Sequence, residues 1–595
     1  MTRIDPDGKK RRISDLYALL KRRGFFWPSY EIYGKIAGFF DLGPLGSLLR
    51  ENIEKAWKDR FVIREGFLLV DCPSITPEVA FKWSGHLEKF TDLLTTCGNC
   101  GSPFRADHLL EGMVENPDAM TREKLESSLN ELDVRCPVCG GKLGGLEEFN
   151  LMFKTHVGTG GERPAYLRPE TAQSIFMNFS LLYRMNRERM PFGVAQIGKG
   201  FRNEISPRQG MLRQREFHMA EGEFFFDPEE NGFLPFERTR DMEVTLLPRS
   251  SPDEEVVTSL QKAIDDGLIC SKVLAHYMAV TQAFAADIGI PEDRMRFRQH
   301  LDLEMAHYAR DCWDLEVSTS YGWVEMVGIA DRSAYDLEQH SKGSGQKLTA
   351  RRRFEEPRII TRTIVEADLK VLGPIFRGAA REAADALSTL DPEDVRRSID
   401  RKEAINVDIS SGTVEVPFEA ATVKEIKETM TGVDYIPHVV EPSFGIDRLM
   451  IAVLEHAYFE AEKSPMKTDA EEENGPYRVM RLRPDIAPVK CGVFPLMNKD
   501  GLTEIAKDID TALKRCGLTT FFDHSGSIGR RYARMDEIGT PYSITVDYDT
   551  KKDDTVTLRA RDTGEQIRLP MEGIDIIVSD LLSGRIARDS LGTPI

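Results

Sequence analysis

Two pairs of cysteines carry the most specific chemical signal in the sequence. Cys97-Gly-Asn-Cys100-Gly and Cys136-Pro-Val-Cys139-Gly are matching knuckles, and the glycine after each pair allows the tight turn that aims two thiolates at one ion. Four thiolates form a closed tetrahedral site with no open position for a catalytic water, so we expect one structural zinc ion here. A redox dithiol or ordinary core cysteines are the alternatives, but neither explains a duplicated pair with matching glycines.

A second group of residues is suited to binding phosphate. Arg202 lies in the segment FRNE, and Arg213 and Arg215 precede Phe217 a short loop later. Guanidinium groups match phosphate oxygens better than lysine ammonium groups do, and the Phe217 ring offers a face on which a purine stacks. The same pattern also occurs where arginine and glutamate side chains pair across an ordinary hairpin.

Carboxylates in apolar or aromatic segments make this signal more specific. They are Glu170, Glu221, Glu325 and Glu441, with Ser443 close to the last of them. A carboxylate is costly to bury unless it faces a cation, either a metal ion or an ammonium group. Arg448 lies in the first turn of a predicted helix, and the amide end of a helix favours anions. Arginines and carboxylates together indicate ATP and Mg²⁺ beside a small substrate that carries an amine.

The elements that must position these side chains are predicted from the hydrophobic pattern. Apolar residues recur at helical spacing from Leu45, after the turn-forming pair Gly43-Pro44, and again after Gly445. Two strands, PFGVAQIGKGFRNE and REFHMAEGEFFFD, are joined by the polar loop SPRQG. Strands occur in runs and do not alternate with helices, which favours an α+β fold with an antiparallel sheet flanked by helices. Only the C-terminal segment alternates strand and helix, which predicts a separate small α/β domain.

Length and composition set limits on the whole chain. A chain of 595 residues predicts several domains, and no segment approaches the run of about 18 apolar residues that a membrane helix needs. The N-terminus lacks the apolar segment of a secretory signal, so we expect a cytoplasmic protein without membrane association. The net charge of −18 argues against binding nucleic acid over the whole surface, so such a partner would meet a local basic patch.

Several blocks of the sequence resemble one family. They are FDLGPLG, FNLMFKT, YLRPETAQSIFMNF, AQIGKGFRNEISPRQGMLRQREFHMAEGEFF, YGWVEMVGIADRSAYDL, EPSFGIDR and HSGSIGRRYARMDEIGTP. From about residue 25 onward the sequence resembles the class II aminoacyl-tRNA synthetases, in particular the homodimeric glycyl-tRNA synthetases of the archaeal and eukaryotic type. The resemblance implies a class II catalytic core on an antiparallel sheet, a zinc-binding insertion and a C-terminal α/β anticodon-binding domain.

The resemblance also implies a role for each candidate residue. The ATP-binding residues would be Arg202, Asn203, Glu204, Leu212, Arg213, Phe217, Glu325, Met326, Gly445 and Arg448. Among these, Arg202 and Arg448 would act in catalysis by stabilising charge on the phosphates, and Glu325 by helping to bind Mg²⁺. The glycine-binding residues would be Arg105, Glu170, Glu221, Glu441 and Ser443. The tRNA-binding residues would be Arg530, Arg531 and Arg534, for which a solvated helix face is the alternative.

The expected domain boundaries follow from these assignments. The catalytic domain would comprise 1–94 with motif 1, 149–247 with motif 2, 301–340, and 431–465 with motif 3. It would be interrupted by the zinc-binding insertion 95–148 and by two peripheral insertions, 248–300 and 341–430. A linker, 466–484, would lead to the anticodon-binding domain, 485–595. Motif 1 builds the dimer interface in this family, so the resemblance implies a homodimer.

The implied reaction has two steps. The glycine carboxylate attacks the α-phosphorus of ATP, giving glycyl-adenylate and pyrophosphate, and the adenylate then acylates the terminal ribose of tRNA(Gly), releasing AMP. Positioning and charge stabilisation carry such a reaction without a covalent protein nucleophile. Two alternatives stay open: a synthetase-like binding protein without activity, and a class II synthetase for another amino acid such as proline, serine or threonine. The first would lack Arg202, Glu204 or Arg448, all of which are present.

Overall fold

The structure is a computed structural model that describes residues 6–114, 117, 120–161, 163–207, 209–229, 233–302, 304–461 and 477–594. Within this part of the chain, Thr349–Tyr435 forms one compact unit and the remainder forms another. The acidic part of the predicted linker, 466–476, lies outside the described residues.

The helices and strands have the following bounds. The helices are α1 Pro6–Arg23, α2 Pro44–Lys58, α3 Glu78–Trp83, α4 His86–Lys89, α5 Arg122–Glu131, α6 Ala172–Met177, α7 Phe179–Met185, α8 Leu260–Asp265, α9 Lys272–Asp287, α10 Tyr335–Ser344, α11 Leu369–Phe376, α12 Ala380–Ser388, α13 Pro392–Arg401, α14 Ile446–Ala457, α15 Leu502–Arg515, α16 Ile528–Ile538, α17 Thr550–Asp553 and α18 Ile574–Leu582. The strands are β1 Phe26–Pro28, β2 Phe40–Leu42, β3 Leu68–Val70, β4 Ile75–Pro77, β5 Thr91–Thr96, β6 Pro103–Arg105, β7 Glu147–Asn150, β8 Lys154–Val157, β9 Arg163–Leu167, β10 Phe192–Phe201, β11 Glu216–Phe226, β12 Glu243–Leu247, β13 Val256–Ser259, β14 Met295–Gln299, β15 Asp311–Thr319, β16 Gly322–Ser333, β17 Ala350–Ala367, β18 Ile405–Ile409, β19 Gly412–Val416, β20 Ala421–Tyr435, β21 His438–Gly445, β22 Tyr458–Ala461, β23 Tyr477–Met480, β24 Cys491–Pro495, β25 Thr520–Phe522, β26 Tyr542–Val546, β27 Thr555–Ala560, β28 Gln566–Pro570 and β29 Thr593–Pro594.

The largest sheet among the described residues has nine strands in the order β13-β12-β14-β15-β16-β21-β11-β10-β3. Its neighbours are antiparallel except for the parallel pairs β12–β14 and β10–β3. Strands β10 and β11 form the predicted hairpin, in register from Phe192 opposite Phe225 to Phe201 opposite Glu216. An antiparallel sheet therefore forms the centre of the fold, as the sequence predicts.

Helix α2 shows how the sequence determines packing against this sheet. Pro44 occupies the first turn, where its missing N–H costs nothing, and the buried Leu49, Ile53 and Trp57 recur every fourth residue to form one apolar stripe. Gly46 faces the chain at Phe25, and a Cβ there would lie 2.0 Å from the Phe25 carbonyl oxygen. Only glycine allows this close approach between the helix and the preceding segment.

Residues 248–300 do not form a peripheral insertion, so that prediction is wrong. Strands β13 and β14 belong to the central sheet, and α9 packs on its strands β15, β16 and β21. Most of the α9 side chains are buried. The helix is apolar on most sides, so it lacks the alternating polar face from which a surface helix is recognised in a sequence.

The smaller unit, Thr349–Tyr435, consists of the long antiparallel pair β17–β20, helices α11 to α13 and the hairpin β18–β19. It has its own hydrophobic core, which includes Leu372, Leu387 and Val395. The sequence places an insertion at 341–430; α10, which ends at Ser344, instead packs with α3 and α6 of the larger unit.

The C-terminal segment forms a six-stranded sheet in the order β25-β24-β26-β27-β28-β29 within the described residues. Strand β24 is parallel to both neighbours, and α15 packs on it. The alternation of strand and helix in the sequence correctly predicts this α/β arrangement. In the described part of the chain, no helix is both long enough and apolar enough to cross a membrane.

Candidate active site

A row of residues, four of them polar, crosses one face of the central sheet. In register on five adjacent strands, the row consists of Gln196, Glu221, Ser443, Gly328 and Asp314. Residues next to them in sequence, such as Phe444 and Leu315, belong to the hydrophobic core. Because side chains alternate along a strand, this face carries the polar groups while the opposite face carries the core.

A cleft adjoins this row, and Ser443 of the row is one of its lining residues. The predicted ATP-binding residues that line it are Arg202, Glu204, Leu212, Arg213, Phe217, Glu325, Met326, Gly445 and Arg448. Asn203 is not among the lining residues, and its backbone N–H donates a hydrogen bond to the Leu151 carbonyl at 2.6 Å. The fold thus brings together segments more than 200 residues apart in the sequence, from Arg202 to Arg448.

The guanidinium of Arg202 lies between two aromatic rings. Its central carbon is 5.4 Å from the centroid of Phe217 and 5.5 Å from the centroid of Phe90. Cation–π attraction of this kind orders a long side chain at the mouth of a cleft. The sequence analysis did not single out Phe90, because it lies far from the hairpin in the chain.

Arg448 is held from two sides at the start of α14. Its Nε donates to the Leu212 carbonyl at 3.0 Å, and its Nη1 donates to the Glu325 carbonyl at 3.0 Å and to the Glu325 carboxylate at 3.1 Å. The Glu325 side chain remains 50% exposed in the cleft. Asp447, also missed from the sequence, accepts hydrogen bonds from the His218 N–H and the Gln214 amide, which fixes α14 against β11.

Arg105 does not line the cleft. Its Nη1 lies 3.3 Å from an oxygen of Asp92, and its Nη2 lies 2.8 Å from an oxygen of Asp107. Nearby, the Nε2 atom of His108 lies 2.6 Å from Nη1 of Arg213. The segment that follows the first cysteine pair therefore contacts the cleft through His108, while Arg105 is engaged by two carboxylates.

Glu221 sits in the middle of the polar row, and both of its carboxylate oxygens accept hydrogen bonds from fixed partners. One carboxylate oxygen accepts hydrogen bonds from the N–H and the hydroxyl of Thr171, both at 2.6 Å. The other oxygen accepts from the Ser443 hydroxyl at 2.7 Å. These bonds hold a carboxylate that is only 2% exposed in one orientation.

Arg332 is the cation at the centre of the neighbouring acidic residues. It is fully buried, and its guanidinium donates to Asp336 at 2.8 Å and to Glu441 at 2.9 Å and lies 3.6 Å from Glu170. The ring of Tyr308 covers the flat face of this guanidinium, whose central carbon lies 3.7 Å from the ring centroid. Arg332 thus faces three carboxyl groups among the described residues, and an ammonium group would offset the negative charge that it leaves unbalanced when they are ionised.

The pKa values of these carboxyls differ because their surroundings differ. Burial, together with the negative charges of Glu221 and Glu170, raises the pKa of Glu441 to about 8 against the opposing effect of Arg332. Burial alone would raise the pKa of Glu170, but His86 and Arg332 outweigh it and lower that pKa below its ordinary value. Glu170 is therefore ionised over the whole physiological range, whereas Glu441 titrates near neutrality.

The four predicted zinc ligands lie together in the described structure. The Sγ atoms of Cys97 and Cys139 are 3.6 Å apart, as are those of Cys100 and Cys136, and all four lie within 4.8 Å of one another. Zn–S bonds of about 2.3 Å in a tetrahedron require sulfur atoms roughly 3.8 Å apart. The backbone N–H of Asn99 donates to the Cys97 sulfur, as expected for a thiolate ligand. The donor set fits zinc, and β5, β6 and β7 form the sheet beside it.

Comparisons with known proteins now decide the family. Residues 153–243 match the family model of the tRNA synthetase class II core domain (G, H, P, S and T), and residues 490–579 match that of the anticodon binding domain. A glycine–tRNA ligase of Methanothrix thermoacetophila is 45% identical over 587 residues, which cover 98% of this chain and 99% of the relative. The chain belongs to the glycine–tRNA ligase family. A second family member, from Methanocaldococcus jannaschii, is 44% identical and covers 93% of this chain and 96% of its own.

Solved structures agree with the fold of a glycine–tRNA ligase. A Giardia lamblia prolyl-tRNA synthetase in complex with prolyl-adenylate matches with a TM-score of 0.50 over 97% of this chain and 79% of that chain. At 12% identity this similarity concerns the fold alone. Together with the two family-model matches, this means that the class II core and the anticodon-binding domain are both present in this member of the glycine–tRNA ligase family.

The predicted tRNA-binding arginines of this glycine–tRNA ligase differ in exposure. Arg530 is exposed, and Arg534 is partly buried and pairs with Asp523. Arg531 is only 3% exposed and donates to the carbonyls of Pro495, Leu496 and Gly526. The prediction that Arg531 contacts tRNA is therefore wrong, because its guanidinium is used inside the domain. Tyr532 is likewise buried, with its hydroxyl bonded to Thr545.

Proposed function

We propose that this protein activates glycine with ATP and transfers it to tRNA(Gly) through a glycyl-adenylate. The observation that carries the proposal is the position of the acidic pocket of Glu170, Glu221 and Glu441 beside the cleft lined by Arg202 and Arg448. A small amine would bind in the acidic pocket, and a triphosphate would bind in the cleft. The row that includes Glu221 and Ser443 connects them, which is the arrangement that amino-acid activation needs.

In the first step, the arginines of the cleft stabilise the charge on the ATP phosphates. Arg202 would contact the α-phosphate, where the glycine carboxylate attacks, and Arg448 would contact the terminal phosphate, which departs together with the β-phosphate as pyrophosphate. The adenine ring would stack on Phe217, and the Glu204 carboxylate would accept a hydrogen bond from the adenine amino group. The half-exposed carboxylate of Glu325 is suited to hold Mg²⁺, which when bound neutralises part of the phosphate charge. No covalent intermediate on the protein is needed.

Selection of glycine rests on its ammonium group and on its lack of a side chain. Glu221 and Glu441 would bind the ammonium, and the charges are already held in place by Thr171, Ser443 and Arg332. A hydrophobic pocket separates substrates that differ by one methylene by only about 1–3 kcal/mol. A methyl group that meets fixed side chains costs more, because well-packed surroundings cannot shift without strain.

ATP–pyrophosphate exchange with single amino acids tests this function. We expect exchange with glycine and only background exchange with alanine, serine, threonine and proline. Exchange driven by another amino acid would contradict the assignment of the substrate. Absence of exchange with every amino acid would instead indicate a binding protein on a synthetase scaffold.

We also propose that Cys97, Cys100, Cys136 and Cys139 bind one structural zinc ion. The distances among their sulfur atoms support this assignment, and the bound ion would cross-link the two ends of the lobe. Metal analysis should find about one zinc per chain, and Cys97→Ala should lose it. Undiminished zinc in Cys97→Ala would contradict the site.

A homodimer is the third part of the proposal. Strand β3 is one of the two edge strands of the central sheet in the described structure; Leu69 on this strand, and Ile75 and Val79 soon after it in the sequence, are 48%, 50% and 56% exposed. Apolar side chains beside an open sheet edge favour association. Light scattering should give twice the chain mass of 67.3 kDa, and Val79→Arg should shift it toward the single chain. A wild-type mass of one chain would refute the dimer.

Transfer of glycine to tRNA would involve the C-terminal domain. Because aminoacylation of tRNA supplies protein synthesis, we place this activity in the cytoplasm. Of the three predicted arginines, Arg530 is exposed and could contact the RNA backbone directly, whereas the partly exposed Arg534 would have to leave its ion pair with Asp523 to do so.

A further inference from the structure

Glu223 is a buried carboxyl that the proposed mechanism does not use. It lies two residues beyond Glu221 on β11, so both side chains project from the same face of the sheet. Its side chain is fully buried, and within the described part of the chain neither of its carboxylate oxygens has a hydrogen-bond partner. An ionised carboxylate in that position would be very costly, so Glu223 is expected to be protonated.

Glu441 offers the matching acceptor. Its Oε2 atom accepts from Arg332 at 2.9 Å, whereas its Oε1 atom is buried without a partner among the described residues. One oxygen each of Glu221, Glu223 and Glu441 lie within 4.8 Å of one another. At such separations, a change in the torsion angles of either side chain would allow an O–H of Glu223 to reach Oε1 of Glu441.

The other groups around Glu223 are already engaged. Both oxygens of Glu221 accept hydrogen bonds from Thr171 and Ser443, and the Arg332 guanidinium is shared between Asp336 and Glu441. Among the oxygens of Glu221 and Glu441, Oε1 of Glu441 is the one that has no hydrogen-bond partner in the described structure, so it is the acceptor that a proton on Glu223 would satisfy. The pairing satisfies two buried atoms at once, which is the normal state of polar groups in a protein interior.

We propose that Glu223 is a neutral carboxyl that donates its proton to Oε1 of Glu441 when Glu441 is ionised, and so positions the Glu441 carboxylate to receive the ammonium group of glycine. This inference rests on the proposed function, because it concerns the same pocket. Glu223 acts through Glu441 and is a positioning residue. An oxygen has two lone pairs, so Oε1 can accept from Glu223 and from the ammonium group together.

The electrostatics of the pocket agree with this arrangement. Burial, and next the negative charge of Glu441, raise the pKa of Glu223 well above its ordinary value, and Arg332 opposes them only in part. A neutral donor also stabilises the charge on Glu441 without adding a further negative charge to a pocket that already holds Glu170 and Glu221. Three adjacent ionised carboxylates would repel one another, whereas one proton between two of them removes that repulsion.

Two substitutions distinguish a proton donor from a charge. Glu223→Gln keeps the shape and an N–H donor, so KM for glycine should stay within about threefold of wild type. Glu223→Met keeps the length but cannot donate, and loss of a hydrogen bond to a charged group should raise KM for glycine by about tenfold or more. KM for ATP and kcat should change little in both. Glu216→Gln, on the exposed part of the same strand, is the matched control.

The outcomes separate this proposal from the function on which it rests. If Glu223→Gln is as impaired as Glu223→Met, Glu223 acts as an ionised group and the proposal is wrong. If Glu223→Met retains the wild-type KM for glycine, Glu223 does not position Glu441 and the proposal is wrong. Infrared spectra of the protein without substrates give an independent measurement: above about pH 9, where Glu441 is ionised, a carboxylic-acid C=O band should be present in wild type and absent in Glu223→Gln. Failure of wild-type glycine exchange would remove the function, while this band would still report the protonation of Glu223.

Discussion

Arg332 shows how much of the pocket depends on a single residue. It is fully buried and faces Asp336, Glu441 and Glu170, so its removal would leave several carboxylates without a cation. The sequence analysis predicted the carboxylates from their apolar surroundings but missed this arginine. An arginine within a strand pattern is typical of a protein surface, and the residues that bury Arg332 come from four separate segments of the chain.

The raised pKa of Glu441 leads to a prediction about pH and stability. Its ordinary pKa is 4.5, and in the folded protein burial raises it to about 8. Between these values the folded protein holds the proton more tightly than the unfolded chain does, so stability falls as the pH rises across this window. Glu441→Gln removes this contribution.

We expect the thermal unfolding midpoint to fall less between about pH 5 and pH 8 in Glu441→Gln than in wild type. Differential scanning calorimetry at several pH values measures this slope, with Glu216→Gln as a control for loss of an exposed carboxylate. Equal slopes in wild type and Glu441→Gln would mean that Glu441 titrates normally in the folded protein.

At the scale of elements, the β10–β11 hairpin arranges the site along one strand. Phe217, Glu221 and Glu223 follow one another at every second or fourth position of β11, so one strand face passes from the cleft to the acidic pocket. Gly200 lies opposite Phe217 in the register and leaves room for its ring. A Cβ at Gly200 would lie 2.8 Å from a ring carbon of Phe217 and 2.7 Å from the sulfur of Met219.

Gly200→Ala should therefore displace the Phe217 ring and weaken ATP binding selectively. Stacking of a base on an aromatic ring is worth about 1–3 kcal/mol, so KM for ATP should rise roughly fivefold or more. KM for glycine should change little, because Glu221 keeps its hydrogen bonds. ATP-dependent exchange kinetics measure both constants, and Lys199→Ala on the same strand is the control. An equal rise in both constants would indicate general damage to the hairpin.

Elements with one apolar face were predictable from the sequence, and those without one were not. Helices α2 and α14 begin close to where the spacing of Leu45 and of the residues after Gly445 predicts them. Helix α9 was missed because it is buried on most sides and is flanked by charged loops, so the segment resembles a surface insertion. The pairing of distant strands, which creates the polar row, has no signal in local periodicity.

For the whole molecule, the net charge of −18 describes the average surface only. Two of the three arginines predicted to meet tRNA are accessible, and the third, Arg531, supports the C-terminal domain from within. Spacing along a helix does not reveal which of two adjacent arginines turns inward. That choice depends on the carbonyls of Pro495 and Leu496, which approach from another segment.

Arg530→Ala and Arg531→Met should consequently have different effects. Loss of one phosphate contact at Arg530 should weaken tRNA binding and reduce the salt dependence of log K by about one unit of slope. Loss of Arg531 should instead lower thermal stability, since three carbonyls lose their donor. Fluorescence anisotropy with labelled tRNA at several salt concentrations, paired with calorimetry, separates the two. Weakened tRNA binding in Arg531→Met at unchanged stability, or lowered stability in Arg530→Ala at unchanged tRNA binding, would contradict these two roles.

Charging of tRNA tests the central claim most directly, because it requires the cleft, the acidic pocket and the C-terminal domain together. The purified protein is incubated with ATP, one labelled amino acid and a transcript of either tRNA(Gly) or tRNA(Pro). We expect labelled glycine to become attached to tRNA(Gly), and we expect no attachment with labelled proline or with the tRNA(Pro) transcript. Attachment of proline or alanine at a comparable rate, or no attachment of glycine to tRNA(Gly), would contradict it.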